Sequence, residues 1–191
     1  MIMKALKLPI LLLIFSILSN SSIFSQVYVG AGAGYKMPFS KFEETNKKAM
    51  TYTFNLENRY YCKLWYGIKA EFSSPDSSDN LPLNEPYYKD FVNIIPNVRY
   101  NFLGGNCYES KIFPFLQAGL IISSIGRTDD SKRLGLGLLA GGGFSYGFTL
   151  FKHCMSLDGG VYYNLPNIIM RDSARSNIEY LNVNLTLNIK L

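Results

Sequence analysis

Hydrophobic and polar residues alternate without a break over the last eleven residues of the sequence. Leucine, valine or isoleucine occupies every second position from Leu181 to Leu191, and asparagine, threonine or lysine fills the positions between. This period of two places the apolar side chains on one face of an extended chain and the polar ones on the other. The length also matches the roughly 9–11 residues with which a tilted strand crosses a bilayer. The pattern therefore predicts a membrane-spanning β-strand.

Seven segments upstream show weaker versions of the same alternation. They are Val27–Tyr35, Thr51–Tyr60, Leu64–Phe72, Phe91–Phe102, Ile112–Ser124, Leu134–Phe148 and Cys154–Asn164. The nearest approach to a transmembrane helix, Ile112–Ile125, contains Pro114, Gln117 and Gly119. A helical membrane protein is therefore a poor interpretation, and eight strands are predicted.

The connections between these segments alternate in length. Residues 36–50, 73–90, 125–133 and 165–177 form the longer connections, and residues 61–63, 103–111 and 149–153 form the shorter ones. Outer-membrane barrels show this alternation, with long loops outside the cell and short turns in the periplasm. A soluble β-sandwich, the main alternative, has no reason to sort its loops in this way. The sequence thus predicts an all-β fold, an eight-stranded antiparallel up-and-down transmembrane β-barrel, with both ends of the barrel domain on the periplasmic side.

The N-terminal residues predict export. Lys4 and Lys7 precede an apolar run from Leu8 to Leu18, and small or polar residues predominate up to Ser25. This order is typical of a secretory signal peptide. We predict a signal peptide over 1–25 and a barrel domain over 26–191, with cleavage after Ser21 as the alternative. The expected location is the outer membrane of a Gram-negative cell.

Composition and charge narrow the function further. Aromatic residues make up 15% of the chain, and removal of two lysines with the signal peptide leaves 17 Lys and Arg against 14 Asp and Glu. The excess of positive charge is small and its residues are scattered along the chain, so it does not indicate a nucleic-acid partner. Aromatic side chains near the predicted strand ends suit the girdles found at membrane interfaces. Examples are Tyr35, Tyr52, Phe72, Phe102 and Tyr180.

Charged residues of both signs fall on the polar face of the predicted strands. An eight-stranded barrel encloses a space that side chains fill, and buried charges persist when they are paired or hydrogen-bonded. We therefore predict an interior charge network that plugs the barrel, with some members at the watery rim as the alternative. The residues are Glu57, Arg59, Lys69, Glu71, Arg99, Asp158 and Lys190.

The three cysteines lie in or beside the three short connections. Because the periplasm is oxidising, a Cys62–Cys107 or Cys107–Cys154 disulfide is feasible. Adjacent turns must lean together to form such a bond, so three free thiols are an equal alternative. Metal binding by the three cysteines is a less favoured alternative.

Few residues of the sequence suggest catalysis or ligand binding. His153, the one histidine, has no neighbouring ligands for a metal and lies in a predicted periplasmic turn. Barrel enzymes that deacylate lipid A work at the outer leaflet, so a Ser–His–acid arrangement here would be on the wrong side of the membrane. The glycines from Gly135 to Gly141 lie within a predicted strand, which excludes a dinucleotide fingerprint. No cofactor, metal site or catalysis is expected.

Three segments resemble a known family. Asn93–Phe102 contains Ile-Ile-Pro-Asn-Val-Arg-Tyr-Asn-Phe, residues 113–120 read Phe-Pro-Phe-Leu-Gln-Ala-Gly-Leu, and residues 138–144 read Leu-Leu-Ala-Gly-Gly-Gly-Phe. These resemble the outer-membrane β-barrel proteins common in Bacteroidota, some labelled PorT-family, which are small barrels of the OmpA–OmpX type. The resemblance implies the fold and location, and for the PorT branch a role in protein secretion or gliding. Many barrels end in Phe, whereas this chain ends in Leu191.

The expected function is structural or surface-binding, through loops of mixed charge. A narrow channel for ions or small solutes and an accessory barrel in protein secretion are the alternatives. The expected partners are outer-membrane lipid and the barrel-assembly machinery, and the extracellular ligand is unknown. A monomer is expected because a closed barrel has no free edge.

Overall fold

A computed structural model describes residues 27–60, 63–77, 87–103, 111–128, 132–168 and 178–191. The predicted signal peptide, Cys62 and Cys107 lie outside these residues. No helix among the described residues is long and apolar enough to cross a membrane.

Eight strands form a closed antiparallel barrel in which each strand pairs with its neighbours in sequence, and β1 also pairs with β8. The predicted fold class is confirmed. The strands are β1 Val27–Phe39, β2 Ala49–Arg59, β3 Leu64–Ser73, β4 Tyr88–Asn101, β5 Ile112–Arg127, β6 Lys132–Leu150, β7 His153–Leu165 and β8 Glu179–Lys190. The loop end of the barrel is the end with the four longer connections, and the turn end is the opposite one.

The alternation in the sequence determines which face of each strand points inward. In β8, Asn182, Asn184, Thr186 and Asn188 are buried, while the leucine, valine and isoleucine side chains lie on the outer surface. The other strands follow the same rule. Residues that are exposed on the outer surface are therefore mostly large and apolar, and many of the buried ones are polar. This is the reverse of the distribution in a soluble globular protein.

Strands extend further toward the loop end than the sequence predicted. The predicted loop 36–50 contains the end of β1, a six-residue helix α1 (Ser40–Thr45) and the start of β2. The predicted loop 125–133 shrinks because β5 reaches Arg127 and β6 begins at Lys132. Lys36 is the first residue of the predicted loop 36–50, yet its side chain is 1% exposed and points into the barrel.

One of the predicted girdle aromatics is inside the barrel. Tyr35, Tyr52, Phe72 and Phe102 are exposed on the outer surface, but Tyr180 is 0% exposed. The assignment of Tyr180 to a membrane girdle is therefore wrong. Tyr180 is in phase with Asn182 and Asn184, the inward positions of β8, and this phase overrides its aromatic character.

The turn between β6 and β7 is strained. Leu150 pairs with His153, so Phe151 and Lys152 form a two-residue turn, with φ angles of 49° and 67°. Two-residue hairpin turns of this kind favour Asn-Gly, because a residue with a Cβ loses about 1–2 kcal/mol in the left-handed region.

Replacement of Phe151–Lys152 by Asn-Gly should stabilise the barrel in detergent by about 1–2 kcal/mol, since it relieves this strain. The measurement is the urea midpoint of the detergent-folded protein. Asn-Gly in place of the exposed pair Lys47–Lys48, neither of which has a positive φ, is the matched control and should give no gain. An unchanged midpoint for the Phe151–Lys152 replacement would show that the turn carries no strain.

Candidate functional site: the barrel interior

The barrel interior is filled by charged, amide and aromatic side chains. Among the described residues, three cations (Lys36, Lys69 and Arg99) and three anions (Glu57, Glu71 and Asp158) are buried. The charges of the two sets cancel. Asparagines on β2, β4, β7 and β8 and threonines on β2 and β8 line the space between them.

Arg99, on β4, is the centre of the largest cluster. Its guanidinium donates to Asp158 on β7, and Nη1 lies 3.4 Å from Glu57 Oε2 on β2. Nε donates to Asn101 Oδ1 at 2.9 Å. The guanidinium carbon also lies 4.0 Å from the centroid of the Phe115 ring. Arginine suits this position because its planar, forked group can bond two carboxylates and stack on a ring.

Asp158 connects this cluster to two more strands. Its carboxylate accepts hydrogen bonds from Ser145 Oγ on β6 at 2.5 Å and from Asn188 Nδ2 on β8 at 2.9 Å. Side chains from β2, β4, β6, β7 and β8 thus meet across the lumen. Such a buried network tolerates its charges because most of their bonding capacity is used.

Lys69 and Glu71, both on β3, form a second cluster nearer the loop end. Their charged atoms lie 3.8 Å apart. Lys69 Nζ also lies 3.8 Å from the centroid of the Tyr162 ring, and Glu71 accepts a hydrogen bond from Asn182 at 3.1 Å. Tyr162 needs neighbours without side chains: a Cβ on Gly141 would lie 2.7 Å from its ring.

Lys36 is an interior charge that the sequence analysis missed. Its Nζ lies between two aromatic rings, 4.0 Å from the centroid of Phe91 and 4.2 Å from that of Tyr180. The signal that could have found it is its phase, since Lys36 continues the inward series Gly30, Gly32 and Gly34. Its charge alone had suggested a loop.

The remaining two predicted interior charges, Arg59 and Lys190, do not join these clusters. They are half-buried at the last positions of β2 and β8, on the turn-end rim. Neither forms an ion pair within the described part of the chain. These two residues therefore lie at the watery rim, which was the alternative to a position in the interior network.

A hydrophobic cap closes the interior at the loop end. It consists of Phe42, Phe91, Ile125, Ile178 and Tyr180, all nearly or fully buried. Phe42 comes from α1 and reaches inward, with its ring centroid 5.7 Å from that of Phe91. Asn46, just after the helix, donates to the Tyr88 carbonyl at 2.6 Å and holds α1 against β4.

The turn end of the interior is packed around two aromatic rings. The centroids of Tyr28 and Trp65 lie 4.7 Å apart, and Cys154 packs with them. A cavity of about 20 Å³ beside them is lined by Asn101, Ser145 and other residues. This volume suits one water molecule. Trp65 Nε1 is buried without a hydrogen-bond partner among the described residues, so it can donate to that water.

Cys154 and His153 lie side by side at the start of β7. Cys154 is disulfide-bonded, and its partner lies outside the described residues, where Cys62 and Cys107 both fall. A disulfide at Cys154 contradicts the alternative of three free thiols and the Cys62–Cys107 bond, so Cys107–Cys154 is the predicted pair that remains. His153 is exposed at the turn end. The described residues contain no cluster of three His, Cys, Asp or Glu side chains that could hold a metal ion.

The interior therefore forms a plug of paired charges, with a hydrophobic cap at one end and an aromatic cluster at the other. Its charged groups bond to one another or lie on aromatic rings. The closed barrel of eight up-and-down strands around this plug defines the class: the fold is that of the small eight-stranded outer-membrane β-barrels.

Solved structures of at least three other proteins share this fold. Neisserial surface protein A (NspA) aligns with a TM-score of 0.64 and 18% identity, over 86% of this chain and 97% of that chain. The outer membrane enzyme PagL gives 0.51 and 16%, over 86% and 99%. The outer membrane protein OprG from Pseudomonas aeruginosa gives 0.50 and 14%, over 87% and 94%. The chain matches no protein-family model and no curated protein sequence.

Proposed function

We propose that this chain is an integral outer-membrane protein whose plugged barrel holds its loops at the cell surface, where they have a structural or binding role. The observation that carries the proposal is the inside-out distribution of side chains. Large apolar residues such as Phe54, Leu120 and Leu185 are more than half exposed around the outer surface. A surface so apolar is stable against lipid and costly in water.

The proposal includes export by a cleaved signal peptide and insertion as a monomer through the barrel-assembly machinery. It also includes the absence of catalysis. The expected reaction site of a lipid A deacylase is at the outer leaflet, whereas His153 lies at the turn end. Two further parts of the proposal rest on the sequence resemblance alone. They are a source in Bacteroidota and the secretion role of the PorT-family.

Heat-modifiability tests the membrane barrel directly. In outer-membrane fractions run on a gel, the unboiled protein should migrate as a compact band and the boiled protein at its unfolded position. A closed barrel resists detergent at room temperature because its backbone hydrogen bonds are all internal. A soluble periplasmic protein with one band under both conditions would contradict the proposal.

Planar-bilayer recordings separate the plugged barrel from the narrow channel. The folded protein should add no discrete conductance, because the Arg99 cluster spans the lumen and the cap closes the loop end. Heat-unfolded protein from the same preparation is the control for detergent leakage. Reproducible single-channel steps from the folded protein alone would favour the channel.

A further inference from the structure

The turn-end rim carries an excess of positive charge. Its described charged residues are all basic: Arg59, Lys63, Lys111, Lys152 and Lys190. The sequence of the three turns adds a single acid, Glu109. At the loop end, by contrast, the described residues include Glu43, Glu44, Asp76, Asp90 and Glu179 beside Lys47, Lys48, Lys89 and Arg127. Since the interior charges cancel, the net positive charge of the barrel is concentrated on this rim.

Most of these basic groups have no ion-pair partner among the described residues. Within the described part of the chain, Arg59, Lys63, Lys152 and Lys190 make no ion pair, and Lys63 and Lys152 are exposed. Like charges crowded on one rim repel one another. Binding of an anionic surface relieves that repulsion.

Apolar side chains project from the same rim. Tyr60, Leu103, Phe151 and Leu191 are each more than two-thirds exposed, and Phe151 is the most exposed at 86%. Phe151 and Lys152 are also the two residues of the strained turn. Strain retained at an exposed position points to a function for the side chains there. An aromatic ring beside an ammonium group matches the boundary between acyl chains and phosphate headgroups.

We propose that the turn-end rim binds the phosphate headgroups of anionic lipids in the membrane leaflet that faces this end. The basic side chains contact the phosphates, and Phe151, Tyr60 and Leu103 enter the boundary between headgroups and acyl chains. Lysine and arginine near an anionic membrane surface are attracted to it within about a Debye length. The inference rests on the proposed membrane location of the barrel.

The test compares barrels folded into vesicles of phosphatidylcholine with barrels folded into vesicles that also contain phosphatidylglycerol. The urea midpoint of the wild-type protein should be higher in the anionic vesicles, and about 1 M salt, at which the Debye length is about 3 Å, should remove most of the gain. The variant R59Q/K63Q/K152Q/K190Q should be at least as stable as the wild type in neutral vesicles, because its rim charges no longer repel one another, and should lose most of the gain in anionic ones. Replacing Phe151–Lys152 by Asn-Gly should lose part of it while the barrel still folds.

The matched control is K47Q/K48Q/K89Q/R127Q, which removes as many charges from the loop end and should keep the gain. Equal loss in both variants would show a general effect of net charge and overturn the inference. So would a gain that the rim variant retains, or a midpoint of the detergent-folded protein that rises equally with inorganic phosphate or a soluble polyanion. Failure to insert into any vesicle would instead contradict the membrane barrel itself.

Discussion

Replacement of Arg99 by methionine should lower the free energy of unfolding by about 3–5 kcal/mol, the usual cost of removing one partner from a buried ion pair. The guanidinium bonds both Glu57 and Asp158, and neither carboxylate has another described cation as its direct ion-pair partner. Methionine fills much of the volume but leaves two anions in the sealed interior. The urea midpoint of the detergent-folded barrel measures the loss.

The control for this prediction removes the carboxylate charges as well. In E57Q/R99M/D158N no unpaired charge remains in the Arg99 cluster, so this variant should recover much of the stability that R99M loses. Lys190→Met tests the rim and should change the midpoint by no more than about 0.5 kcal/mol, as surface substitutions do. If R99M and the triple variant are equally unstable, packing rather than charge pairing explains the role of Arg99.

Should R99M fail to refold, the fraction of heat-modifiable protein gives a second measurement. The triple variant should then refold where the single variant does not. A direct cationic partner for Glu57 and Asp158 is thus expected to be a condition for closing the barrel while these two side chains are ionised. This expectation follows from the contacts that the Arg99 guanidinium makes with both carboxylates.

Sequence periodicity predicted the strands well because one physical constraint acts along most of each strand. Every outward position meets an apolar environment and every inward position meets the lumen, so the alternation identifies the face directly. Phase also placed Glu57, Lys69, Glu71, Arg99 and Asp158 on the inward face, where the structure has them.

Near the strand ends, the type of a residue indicates its position less well than its phase in the strand. Lys36 looked like a loop residue and Tyr180 like a girdle residue, yet both follow the inward phase of their strands. The two meet over Phe91, on β4, a contact between residues far apart in sequence that periodicity cannot predict. The inward position of Phe42 could not be predicted for a related reason. Phe42 lies in α1, between two alternating segments, and its packing in the cap determines where its side chain points.

The second large effect is expected for Phe42→Ala, which should lower the free energy of unfolding by about 3–5 kcal/mol. Phe42 is fully buried and packs against Phe91, Tyr88 and Tyr180. Truncation removes most of the ring's contacts and leaves a cavity inside the cap. Phe42→Leu keeps most of the apolar volume and should lose much less.

This substitution should also release α1 from the barrel mouth. The helix has six residues and no side-chain cap at its N-terminus, and so short a helix is not stable by itself. Its position therefore depends on Phe42 and on the Asn46 bond to Tyr88. Trypsin should cleave Phe42→Ala faster than the wild type after Lys47 and Lys48, while Phe42→Leu stays close to the wild type. A lower midpoint without faster cleavage there would show that Phe42 stabilises the cap but does not hold the loop in place.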